Sequence, residues 1–122
     1  MKTFLGLLIC FFMSSIANTQ FVNYRQLLIF GKEAQPALVK KQMELFDRDK
    51  AGIAERDIKI TLVPTTSELC KKYKTRQGAF TIILVGKDGG EKHRTHTILQ
   101  SQELFSIIDA MPMRRSEMRK ND

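Results

Sequence analysis

Cys70 carries the most reactive side chain in the central part of the chain. Lys71, Lys72 and Lys74 stand beside it. Neighbouring ammonium groups favour a thiolate, so Cys70 is a candidate nucleophile. It also lies next to Leu69 and one helical turn before Tyr73, the pattern of a small buried hydrophobe. His93 and His96 are three apart on an extended segment, so their side chains point to opposite faces and make poor joint ligands. Met111, Met113 and Met118 offer thioethers, which suit Cu(I). Met111, however, falls on the apolar stripe of a helix. The two Cys and two His are too scattered along the chain to form a clustered four-ligand zinc set. The expectation is no catalytic residue of the usual kinds, no metal and no cofactor.

Cations are the stronger lead. Lys87, Lys92 and Arg94 come from a hairpin, and Arg114 and Arg115 from the C-terminal segment, with Arg119 beyond. Guanidinium groups bind sulfate, phosphate or carboxylate at two points. If the last helix packs beside the hairpin, these residues form one surface for an anion or a partner. Alternatively, Arg114 and Arg115 pair internally with Asp88, Asp109 or Glu117.

The elements that must position these residues follow from periodicity. Residues 27–30 are a continuous apolar run, as in a strand buried on both faces. Pro36 suits the first position of a helix. Val39, Met43 and Phe46 supply its apolar face, and Gly52 is a candidate stop. Residues 58–63 alternate as a second strand, which Pro64 ends. Thr65 and Glu68 have capping-box spacing ahead of a helix that Gln77-Gly78 closes. Residues 80–85 are the strongest strand. Asp88-Gly89-Gly90 is a hairpin turn whose glycines serve positive φ. The return strand, residues 91–98, is polar on both faces and belongs at a sheet edge. Ser101 caps a last helix with Leu104, Phe105, Ile107, Ile108 and Met111 as its stripe, and Pro112 terminates or kinks it. A basic tail follows. The order β-α-β-α-β-β-α, with a four-stranded mixed sheet and a polar edge strand, is that of the thioredoxin fold.

The chain has 122 residues, 43% hydrophobic and 27% charged, which suits one small domain. Its formal charge is +7. Lys2, the apolar run from Phe4 to Met13 and Ser15-Ile16-Ala17 have the order of a cleaved signal, so residues 1–17 read as a signal peptide. No later stretch is long and apolar enough to cross a bilayer. The expected product is secreted or periplasmic, with Cys70 as its single cysteine. The charge would allow nucleic acid, but export and the lack of an aromatic stacking surface argue against it.

Three stretches carry a family resemblance. They are Phe80-Thr81-Ile82-Ile83-Leu84-Val85-Gly86-Lys87-Asp88-Gly89-Gly90-Glu91-Lys92, Ile108-Asp109-Ala110-Met111-Pro112-Met113-Arg114-Arg115-Ser116-Glu117-Met118 and Glu55-Arg56-Asp57-Ile58. Together they resemble the domain-of-unknown-function 4174 family over about residues 24–119. The family occurs in secreted bacterial proteins, in animal sushi-repeat-containing proteins and in coiled-coil domain-containing protein 80. The resemblance implies a thioredoxin-like, peroxiredoxin-like domain, and in the animal members matrix association and binding of sulfated polysaccharide. A thioredoxin site holds a thiolate at the first strand–helix junction and a cis-proline before the third strand. Here the junction reads Gly31-Lys32-Glu33-Ala34-Gln35-Pro36, and Gly78-Ala79 stands at the proline position. The expectation is a non-catalytic domain that binds an acidic polysaccharide or a protein. The competing expectation is a peroxiredoxin-like enzyme that uses Cys70.

Overall fold

A computed structural model describes residues 22–120. The segment read as a signal, residues 1–17, lies outside the described residues. The elements in chain order are β1 (Arg25–Phe30), α1 (Pro36–Arg48), α2 (Lys50–Glu55), β2 (Ile58–Val63), α3 (Leu69–Lys72), β3 (Thr81–Val85), β4 (Glu91–Thr95), α4 (Ser101–Asp109) and α5 (Pro112–Lys120). The sheet order is β2-β1-β3-β4. β1 and β2 run parallel, while β3 is antiparallel to both β1 and β4.

The two central strands carry continuous apolar runs, Leu27 to Phe30 and Ile82 to Val85, because both faces of the sheet are covered. Leu27, Ile29, Ile82 and Leu84 face a large core that includes Val39, Phe46, Leu104 and Ile108. Leu28, Phe30, Ile83 and Val85 face a smaller one, against Leu69, Cys70 and Tyr73. Polar β4 takes the edge, as its charges require. Gln42 is buried on α1 and ties down the approach to α4. Its Nε2 donates to Leu99 O at 2.8 Å, and Leu99 N–H donates to its Oε1 at 2.7 Å.

Several local expectations are corrected. Gly52 does not stop a helix but lies inside α2. A Cβ there would come 2.6 Å from the Phe105 ring, so the glycine admits α4. The capping box at Thr65 and Glu68 does not form. Instead Ser67 Oγ accepts from Leu69 N–H at 3.2 Å, and α3 lasts only four residues. Lys74, at φ 53°, turns the chain away from a helix continuing to Gln77. Ser101 is the first residue of α4 rather than its cap, and its hydroxyl is buried without a partner among the described residues. β4 ends at Thr95, short of Ile98. In the hairpin turn only Gly89 has positive φ, at 82°, so backbone conformation does not explain Gly90. His93, on this polar edge strand, is half-buried, with Nε2 enclosed and unpartnered among the described residues. Pro112 ends the α4 pattern and opens α5, so the basic tail is helical.

Candidate functional site

The strand register divides the molecule into two ends. One holds the C-terminus of β1 and the N-terminus of β3, where Phe30 pairs with Thr81. The other holds Arg25, Asp57 and the β3–β4 turn.

At the first end the backbone is tight. Gly31 has φ 98°, and a Cβ on it would lie 2.8 Å from the Ala79 carbonyl oxygen. The β1–α1 junction thus presses directly on the segment that precedes β3. The described residues contain no cis peptide bond. Two clefts flank residues 74–76. One, of 580 Å³, is lined by Leu38, Lys74, Arg76, Arg94 and His96 among others. The other, of 400 Å³, reaches Gly31, Cys70, Lys71, Lys74 and Gly78. The Cys70 thiol is half-buried and donates weakly to Pro64 O at 3.5 Å. Lys71, Lys74 and Arg76 are exposed on the cleft rims, with no ion pair among the described residues.

The cations singled out from the sequence behave differently. Arg114 is 2% exposed. Its Nε donates to Asp109 Oδ1 at 3.2 Å and its Nη2 to Glu55 Oε1 at 3.0 Å, and Glu117 Oε2 is 3.6 Å from Nη1. Arg56 grips the same Asp109 at two points, 3.0 and 2.9 Å, and stacks on Phe105. Arg25 meets Glu117. Lys87 bridges Asp57 at 2.8 Å and Glu117 at 2.6 Å. Lys92 pairs with Asp88 at 2.7 Å, and Arg94 with Glu91 and the Tyr73 carbonyl. Arg115 is exposed, with no ion pair among the described residues. Lys87 and Lys92 share a cleft with Met111, Pro112 and Met113, whereas Arg94 lines a cleft at the other end. The five cations are therefore not brought together, and four of them are already paired. Met111 packs against the large core, and Met113 is exposed.

This seam fastens α5 to the domain, and its titration follows from its contacts. The Arg56 hydrogen bonds hold the Asp109 carboxyl below its usual range, against the effect of burial, with Arg114 adding to them. Burial works to raise Glu117, but hydrogen bonds from Lys87 and Arg25 outweigh it and leave that pKa lowered as well. Burial likewise disfavours charged Lys87, yet Asp57 and Glu117 hold its pKa above the ordinary value. Carboxylates with lowered folded pKa values stabilise the fold above their unfolded values. That contribution should fade as pH falls below about 4, the usual carboxylate value. The urea midpoint should drop over that window in the wild type and drop less in Glu117→Gln. Equal acid sensitivity in both proteins would overturn this.

Sequence reasoning missed the free rim cations Lys71, Lys74 and Arg76 as a group. A usable signal existed: from Leu69 to Lys87 the chain contains no carboxylate. Cations in that stretch therefore have no acidic neighbour downstream to pair with locally.

Comparison with solved structures decides the architecture. A Plasmodium vivax 2-Cys peroxiredoxin in its reduced form matches with a TM-score of 0.62 at 16% identity, over 83% of this chain and 84% of that one. The fold is thioredoxin-like. Thioredoxin-2, described as a component of malaria parasite protein secretion machinery, matches with a TM-score of 0.57 at 21% identity, over 72% and 84%. A structure described as a malarial protein gives 0.56 at 22%, over 71% and 96%. The family model "Domain of unknown function (DUF4174)" matches residues 63–117, from the end of β2 into α5. No curated protein matches the chain. Among the described residues no group of His, Cys, Asp and Glu is placed to hold a metal ion, and no helix is long and apolar enough to cross a membrane.

Proposed function

We propose that the protein is an exported, non-catalytic thioredoxin-like domain that binds an acidic partner, a polysaccharide or a protein. One observation carries this reading. The end of the sheet that holds the thiolate in a thioredoxin here presents Gly31 to Pro36 without a thiol, beside clefts rimmed by unpaired Lys71, Lys74 and Arg76. Such a rim attracts extended anions through screened, long-range charge. Export rests on the signal pattern of residues 1–17.

The test uses the secreted product, whose N-terminal sequence should start after Ala17. It should be retained on heparin at low salt and released steeply as salt rises, because surface ion contacts are screened. Lys71→Ala/Lys74→Ala/Arg76→Ala should abolish retention without loss of the fold. Full retention by that variant would refute the reading. One observation favours a second reading: Cys70 lines the same cleft as Gly31 and Gly78. Peroxide consumption that disappears in Cys70→Ser would establish a thiol enzyme instead.

A further inference from the structure

Two strings far apart in sequence converge on one cleft of 320 Å³ at the α5 end of the molecule. Lys87, Asp88 and Lys92 form one wall, and Met111, Pro112 and Met113 the other. That volume lies at the small end of ligand sites, and the mix of an apolar wall with a few polar groups is their usual composition.

The polar wall has hydrogen-bond donors in excess. An ammonium group carries three N–H donors. Lys87 gives one to Asp57 and one to Glu117. Lys92 gives one to Asp88. One N–H on Lys87 and two on Lys92 thus have no acceptor among the described residues. Pro112 and Met113 begin α5, so the positive end of that helix opens at the cleft. The backbone N–H groups of Met113 and Arg114 also find no acceptor among the described residues.

The turn is shaped around Lys92. A Cβ on Gly86 would lie 2.6 Å from Lys92 Cε, and one on Gly90 would lie 3.5 Å from its Nζ. Neither glycine has positive φ, so their backbone conformation would accept a side chain. What Gly86 provides is room for Lys92 to fold back over the turn, whereas a Cβ on Gly90 would make only ordinary contact with Lys92 and press on Asp88 Oδ1 at 3.3 Å.

We propose that this cleft binds a small molecule with a carboxylate head and an apolar body. The head meets Lys92 and the start of α5, and the body lies against Met111, Pro112 and Met113. Arg25 also borders the cleft. The charges of Arg25, Lys87 and Lys92 are balanced by Asp57, Asp88 and Glu117. A long polyanion gains little from such a neutral cluster, whereas a single carboxylate gains directed, charge-assisted hydrogen bonds. The site is separate from the rim cations and stands or falls independently of them.

Octanoate is the probe, followed by NMR of methionine methyl groups in the full-length protein. Saturable shifts are expected at Met111 and Met113, with Met43 on α1 unmoved. Octanol should bind at least about tenfold more weakly, as expected for loss of charge-assisted hydrogen bonds. Lys92→Met should weaken octanoate by a similar factor. Gly86→Ala, which displaces the Lys92 stem, should do the same with the Lys92 charge retained. The proposal is overturned by shifts that do not saturate, by parallel shifts at Met43, by equal binding of octanol, or by undiminished affinity in both variants.

Discussion

Arg114→Glu should lower stability by about 3–5 kcal/mol, the usual effect of breaking a buried ion pair from one side. The same change at Arg115 should move it by no more than about 0.5 kcal/mol, as for an ordinary surface position. The two arginines are adjacent in sequence and opposite in circumstance. Arg114 is 2% exposed, and its guanidinium contacts Asp109, Glu55 and Glu117. A glutamate there would bring a fourth carboxylate against three, with Arg56, Arg25 and Lys87 left to neutralise them. Among the described residues, the α5 helix would keep only the Glu117 contacts with Arg25 and Lys87 as polar ties to the domain. Arg115 points outward and has no ion pair among the described residues to lose. Urea midpoints of the two single variants decide the matter. Heparin retention per folded molecule should stay unchanged in both, since neither residue belongs to the rim of Lys71, Lys74 and Arg76. Equal stabilities would show that the seam contributes nothing to holding α5. Lost retention in a folded Arg114→Glu protein would return that residue to the binding surface.

The contrast shows what the sequence could and could not disclose. Strong local patterns translated directly into structure. Thr81–Val85 is buried at every position and apolar from Ile82 onward. Pro36 opens α1, and Asp88-Gly89 makes the hairpin. Long-range pairing was harder to foresee. A row of arginines has the same composition whether it is free or matched. Only the fold reveals that Asp109 receives two guanidinium groups, one from residue 56 and one from residue 114. The short α3 was misjudged for a related reason. Its apolar positions, Leu69, Cys70 and Tyr73, pack on the small core, but a left-handed residue at Lys74 breaks the helix before its pattern is complete. That break places Lys74 and Arg76 at the clefts. The sequence thus showed cations of both kinds, and the backbone sorted them into a fastening seam at one end and an unpaired rim at the other.

Leu84→Ala should cost about 2–5 kcal/mol, a large share of the roughly 5–15 kcal/mol that holds a small domain together. Leu84 is 1% exposed at the centre of the sheet, on the face covered by α1, α2 and α4. Helices on that face are fixed by other contacts, including the Gln42–Leu99 hydrogen bonds, so they cannot settle into the space a truncation leaves. Its neighbour Ile83 is equally buried but faces the smaller core, where the covering helix is only four residues long. A short, lightly held cover can move inward. Ile83→Ala should therefore lie near the lower end of the same range, with Leu84→Ala near the upper end. Urea midpoints with unchanged slopes would measure both. A smaller loss for Leu84→Ala than for Ile83→Ala would mean that the α3 side is the rigid one. The rim of Lys71, Lys74 and Arg76 would then sit on a fixed platform. The expected order instead leaves that rim on the more yielding face of the sheet, where it can adjust to an extended partner.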